Sequence, residues 1–234
     1  MAVDLNHATY SFESFFRQWL LNQEEYLRQL LSARHHGGQQ QQELESLLSR
    51  VLRHYQNYYD EKSRCAHVDV LQFFSPLWLT ALEKTFLWIG GWKPSLAFRI
   101  LDNSVGGLSP EEMRSIQQLR AETRVRELEL TEELAKIQES LGGQTVLEQA
   151  KRVGKLKDGV GREVEVVLEP LHLSLEALLE AADSLRVSTV KKIVEILGEV
   201  RTVDFLAAAA QLHLGIRRKG MQRETGWKGE GEAR

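Results

Sequence analysis

The stretch Trp88-Ile89-Gly90-Gly91-Trp92-Lys93-Pro94-Ser95 restricts the fold of this 234-residue chain more than any other eight residues. Gly90 and Gly91 accept φ > 0 without the penalty a Cβ imposes, so a helix closing at Ile89 is predicted to end in a left-handed turn. Pro94 suits the first position of the next helix, where its missing N–H would have no partner anyway, and Ser95 offers a hydroxyl to that helix's first turn. The octet therefore predicts two helices meeting at a sharp, fixed angle. Trp78, Phe86, Trp88 and Trp92, at helical spacing, read as core around the junction.

Helical signals run through the rest of the chain, which has only four prolines and long stretches of Leu, Ala, Glu, Gln and Arg. A first helix is predicted from about Ser11 to Ala33, with Phe12, Phe15, Phe16, Trp19, Leu20, Tyr26, Leu27, Leu30 and Leu31 on one apolar face and Asn6 or Ser11 as its cap. His35-His36-Gly37-Gly38 ends it. A second follows from about Glu43 to Cys65, burying Leu44, Leu47, Leu48, Val51, Leu52, Tyr55 and Tyr58. Val68 to Phe74 reads as a connector, and Ser75-Pro76 as the start of a third helix ending at Ile89. A fourth is predicted over Lys93 to Leu101. Ser109-Pro110-Glu111-Glu112 is the clearest start signal, with a serine cap, a proline next and acids where the helix dipole is positive. It launches a helix to about Leu141 in which Leu130, Leu134, Ile137 and Leu141 recur like a coiled-coil seam.

The segment 142–163, rich in glycine and lysine, has no sustained apolar stripe and reads as a mobile linker, with Val164 to Leu168 either a frayed helical turn or a short extended segment. The period then returns from Pro170 to Leu197, Gly198 stops it, and a last helix is predicted from Glu199 to Arg217 with a small-residue run at Ala207 to Ala210. The expected organisation is an all-α multi-helix bundle: a tail over 1–10, one domain over 11–219 and a disordered polar tail over 220–234.

Composition limits the function classes. With 42% hydrophobic residues the chain can bury a substantial core without staples. A net charge of −3 removes the broad basic surface that phosphate recognition needs, although a local patch remains at Arg217-Arg218-Lys219 with Arg223 and Lys228. That patch reads as a solvated helix end, or else as a nucleic-acid contact, a nuclear address or a calmodulin-binding end. The lone Cys65, with no leader ahead of the first amphipathic segment, implies a reducing compartment, cytosol or nucleus. No apolar run approaches the roughly 18 residues that cross a bilayer.

No GxSxG, GxxxxGK[ST], HExxH or CxxC occurs, so the expectation is a non-enzyme with no catalytic residues and no metal site. Cys65 and His67 point apart as i and i+2 on a helix and read as structural. His35 and His36 diverge likewise and read as solvated loop histidines. His213, between Leu212 and Leu214, reads as a core histidine or, alternatively, as a haem or metal ligand in its neutral form. Lys93 and Ser95, at a helix N-terminus, read as a cap or as an anion site.

Three separated blocks resemble the plant Delay of Germination (DOG) domain, which also forms the C-terminal half of the TGA-type bZIP transcription factors. They are the aromatic-x-x-Trp opening at Phe16 and Trp19 with its leucine repeat, the Trp-Gly-Gly octet with its approach from Ser75, and Ala182-Asp183-Ser184-Leu185-Arg186 followed by the Leu-His-Leu of the closing helix. The resemblance implies a regulatory module for seed dormancy and abscisic-acid signalling, with pollen-aperture placement as a variation. It implies docking of protein partners, type 2C protein phosphatases or transcription factors, through Phe16 and Trp19. Ser14-Phe15-Phe16-Arg17-Gln18-Trp19 lacks the acidic, hydroxyl-rich lead of phosphatase-binding members. Haem binding in the family involves a histidine at the position of His213 and another one turn later, where this chain has Arg217. The related TGA domains imply a fatty-acyl pocket lined by Trp78, Phe86, Trp88 and Trp92. Their DNA reading resides in a basic zipper that this sequence does not contain, so direct nucleic-acid binding is not expected.

Overall fold

The computed structural model describes residues 5–35, 41–142 and 160–231, with side chains over 12–34, 41–140 and 169–226. Within them lie seven helices and no strand: α1 Leu5–His35, α2 Gln41–Ala66, α3 Leu71–Phe74, α4 Ala81–Lys84, α5 Leu96–Ser104, α6 Pro110–Gly142 and α7 Val160–Gly231. The all-α expectation holds. α7 is the spine, packing against α1, α2, α4, α5 and α6. It is continuous except at Gly198, whose φ of 67° and ψ of 176° suit only glycine and break the helix into arms 160–197 and 199–231.

Apolar periodicity explains the packing. Ile116, Leu119 and Leu130 on α6 and Leu175, Leu178, Ala182, Ile193 and Leu197 on α7 are buried at spacings of three, four or eleven, all of which fall on one helical face, so one face of each helix meets the other. The seam read on α6 is used internally: Leu130 packs with Leu178 and Ala182, and Leu134 and Ile137 lie against the same cluster. Near the break a core of Leu30, Leu48, Phe98, Leu101, Ile116, Ile193, Leu197 and Phe205 joins five helices. At the other end Phe12, Phe16, Trp19, Phe73, Trp78 and Leu179 form a second core rich in rings. Each such side chain taken from water stabilises by roughly 1.5–3 kcal/mol.

Several boundaries differ from the sequence reading. No helix runs from Ser75 to Ile89; the structure has the single turns α3 and α4 with an irregular stretch between them. Thr80, not Ser75, is the cap. Its hydroxyl accepts from the Glu83 amide while Glu83 Oε2 accepts from the Thr80 amide at 2.8 Å, a reciprocal box worth about 1 kcal/mol. Pro94 and Ser95 form a turn ahead of α5, which begins at Leu96. Ser109 does cap α6 as expected, exchanging bonds with Glu112 at 2.7 and 3.2 Å. The α1 helix already exists at Leu5, ahead of the expected cap, and α7 begins ten residues before Pro170. Most of the expected linker lies outside the described residues.

The expected polar tail is also corrected. The helix continues past residue 219 to Gly231. Gly220 sits so close to Thr80 that a Cβ would lie 2.2 Å from its Oγ1, and Glu224 accepts from the Ala81 amide at 2.8 Å. That carboxylate caps the positive end of α4, which ties the chain's last turns to the fold.

Candidate functional site: a turn read by arginine and the cavity beside it

Residues 88–91 form a two-residue hairpin turn. The Trp88 amide donates to Gly91 O at 2.6 Å and the Gly91 amide to Trp88 O at 3.2 Å, with φ of 43° at Ile89 and 64° at Gly90. Two successive positive φ values define the mirror-image type I turn. Gly90 fits this role, but Ile89 is β-branched and its left-handed backbone costs on the order of 1–2 kcal/mol. Arg186 on α7 offsets that cost. Its Nη2 donates to Trp88 O at 2.5 Å and to Ile89 O at 2.8 Å, and its Nε donates to Trp92 O at 2.7 Å. The guanidinium also lies 5.4 Å from the Trp88 ring, whose Nε1 donates to Thr131. A Cβ on Gly91 would approach Arg186 Cζ to 2.8 Å, and one on Gly90 would approach Leu179 Cδ1 to 2.4 Å. A side chain at Gly90 would also meet its left-handed backbone, and one at Gly91 would displace the guanidinium that holds the turn.

Four more charges stand nearby, and two of them, Lys62 and Glu83, are buried. Arg186 Nη1 pairs with Asp183, which also accepts from Lys62 Nζ at 2.8 Å. The Lys62 side chain is 1% exposed, and burial pulls its ammonium down to about 8 against the opposing pull of Asp183. Glu83, also 1% exposed, accepts from Thr80 and from Arg217 Nη1 at 3.0 Å, while Arg217 lies over the Phe16 ring at 5.3 Å. Between these pairs opens a cavity of about 280 Å³ walled by Phe16, Trp19, Tyr58, Trp78, Trp92 and His213, with Lys62, Glu83, Asp183 and Arg186 at its edges. Its size lies near the lower end of small-molecule pockets, which run from about 300 Å³ upward.

A family model described as seed dormancy control, DOG1, matches residues 23–103. The Arabidopsis thaliana protein ZW2 is 35% identical over 94% of this chain and 100% of its own length. The Arabidopsis protein Response to ABA and salt 1 is 34% identical over 91% of this chain and 96% of its own. The chain belongs to the DOG1 family. The Arabidopsis transcription factor TGA4 is 30% identical over 80% of this chain, a match that spans 50% of the factor's length.

The DOG1-family motifs take on definite roles in this geometry. Phe16 and Trp19 are 2% and 4% exposed, so neither offers a surface to a partner: they are cavity wall, stacked at 6.1 Å, with Trp19 donating to His54 O. Trp78 and Trp92 line the cavity, as do Gly90, Gly91, Lys93 and Pro94; Trp88 does not, and Phe86 is 41% exposed against Trp92. His213 lies between Trp19 and Trp92 at 5.5 and 5.4 Å. Burial holds its imidazole down to about 4, with Glu83 opposing and Arg217 adding. It is the neutral form that ligates iron. Arg217, however, has no acceptor and is committed to Glu83 and Trp78 O. These residues do not fit a bis-histidine haem.

The expected anion site is filled by the chain itself. The Ser95 amide donates to Glu127 Oε1 at 2.6 Å, and Lys93 Nζ lies 5.9 Å from the Trp88 ring. Cys65 is buried, with its thiol pushed up to about 11, the reverse of a reactive cysteine. Arg218, Lys219 and Arg223 remain exposed, whereas Arg217 turns inward. The sequence reading missed Lys62, Glu83 and Arg186 as site residues. Thr80-Ala81-Leu82-Glu83 carries a capping-box spacing that points to Glu83; the pairing of Lys62 with Asp183 spans 121 residues and has no local signal. His36 and its glycines lie outside the described residues.

Proposed function

We propose that this DOG1-family chain is a non-catalytic regulatory module acting through protein partners in plant developmental signalling, in seed dormancy and the abscisic-acid response, in nucleus and cytoplasm. The observation that carries the reading is the nearly full-length match to a protein named for its response to ABA and salt. The chemistry of the site supports it: Lys62, Asp183, Arg186, Glu83 and Arg217 are engaged in ion pairs with one another, and the Cys65 thiol outside the cavity is held protonated. Partners dock on exposed apolar side chains, Leu21 and Leu128 on helix surfaces and Leu77 on the turn between α3 and α4. Those partners are regulatory proteins, type 2C phosphatases or transcription factors among them. Pull-downs that use Trp19→Ala as the control would unfold a cavity wall, so Leu77→Glu is the better control. Seeds lacking the gene should show altered dormancy or altered germination on abscisic acid, restored by the wild-type chain. Unchanged germination together with no protein enriched over Leu77→Glu would reject the reading.

A second reading is favoured by the cavity: an apolar ligand, a fatty-acyl chain in the first instance, occupies it and tunes partner binding. Native mass spectrometry of the purified chain should release one such molecule per chain, and a bare protein mass in lipid-supplemented preparations would oppose it. Haemin titration should give no bis-histidine spectrum. Duplex DNA should give no salt-sensitive mobility shift, since the basic residues left exposed are too few to neutralise a run of phosphates.

A further inference from the structure

The geometry points to a divalent transition-metal site, of the kind Zn²⁺ and Co²⁺ occupy, built from His67, Glu176 and Glu180 at the outer edge of the α2–α7 contact. One ligand atom from each of the three lies within 4.8 Å of the others. A tetrahedral ion with ligands at about 2.0–2.2 Å needs its donors within roughly 3.5 Å of one another, a distance small side-chain rotations supply.

The backbone fixes all three donors. His67 follows the last residue of α2, and its backbone amide donates to Ser63 O at 3.2 Å. Glu176 and Glu180 stand one turn apart on the 160–197 arm, on the same face. Three cross-helix contacts set the antiparallel register: the buried Lys62–Asp183 pair, Ser63 Oγ donating to Glu180 Oε1 at 3.5 Å, and the His67 Nδ1 contact with Glu176. Ser63 thereby orients one carboxylate from the second rank, as the partners of metal ligands do.

Charge supplies a second, independent argument. Two carboxylates at i and i+4 repel one another. Among the described residues no lysine or arginine forms an ion pair with either, and the histidine that approaches Glu176 is a cation only when protonated. A divalent ion between them would cancel that repulsion and leave the imidazole in the neutral form that coordinates. One nitrogen and two oxygens suit a borderline metal and disfavour Ca²⁺ and Mg²⁺, which take oxygen alone. A bound ion would clamp the end of α2 to α7. The inference is independent of the proposed regulatory role.

The test uses the untagged full chain stripped with chelator. Zn²⁺ in calorimetry should bind one ion per chain at micromolar concentration, Co²⁺ should give a visible d–d band, and Mg²⁺ and Ca²⁺ should give neither. The midpoint of thermal unfolding should rise with Zn²⁺. His67→Gln, Glu176→Gln and Glu180→Gln, all on the surface edge, should each weaken Zn²⁺ binding at least about tenfold, while the exposed Glu195→Gln on the same helix should leave it unchanged. The inference is overturned if the wild-type chain takes up no Zn²⁺, or if the triple variant, folded by circular dichroism, keeps one tightly bound ion.

Discussion

The two cores of this molecule are built on opposite terms. Near the break at Gly198, Leu30, Phe98, Leu101, Ile116, Ile193 and Phe205 close without an ion pair among them. Beside the cavity, rings share the interior with Lys62, Asp183, Arg186, Glu83 and Arg217. Burying an ion pair seldom stabilises a fold more than a hydrophobic replacement would, but removing one partner is severe. The first core therefore carries stability, and the second fixes one arrangement of the 88–92 turn, the α4 cap and the cavity wall between them.

The largest expected effect breaks the charged side. Arg186→Ala removes the donors to three carbonyls and leaves Asp183 with Lys62 alone, which should cost about 5 kcal/mol in urea unfolding and release the Trp88 environment, seen as a shift in tryptophan emission. Phe98→Ala, in the uncharged core, should cost about 4 kcal/mol through the cavity it leaves, with tryptophan emission unchanged. A native-like emission in Arg186→Ala would erase the distinction between the two regions.

Acid sharpens the same comparison. His54 and His213 are both held down to about 4 in the folded chain by burial, against 6.5 for the free side chain. Between those values the unfolded chain binds protons that the folded chain refuses. Stability is thus intact above about pH 6.5 and falls as pH drops towards 4, by up to roughly 3 kcal/mol per histidine. His213→Phe should flatten part of that slope. The smallest effect belongs to a purely local device: Ser109→Ala should cost about 1 kcal/mol and leave the cavity side untouched.

What the sequence made legible follows the range of the interactions. Ser109 and Glu112 are three residues apart, and their cap could be read directly; so could the stop at Gly198 and the apolar stripes of α1, α2 and α6. The stretch 75–89 was misread because Ser75-Pro76 imitates a helix start, while the working cap lay five residues on at Thr80. The turn at 88–91 depends on an arginine almost a hundred residues away, which is why a positive φ at Ile89 had no local signal. Phe16 and Trp19 look like a docking face until α2 and the 199–231 arm cover them. Residues 220–226 look like a solvated tail until Gly220 meets Thr80.

The claim that Arg186 holds the glycine turn is tested most directly by a double-mutant cycle between Gly91 and Arg186. A Cβ at Gly91 meets the guanidinium carbon at 2.8 Å, so Gly91→Ala should be strongly destabilising in the wild-type chain and nearly neutral once Arg186 is alanine, a coupling of about 2 kcal/mol or more. Strictly additive costs for the two substitutions would contradict the account.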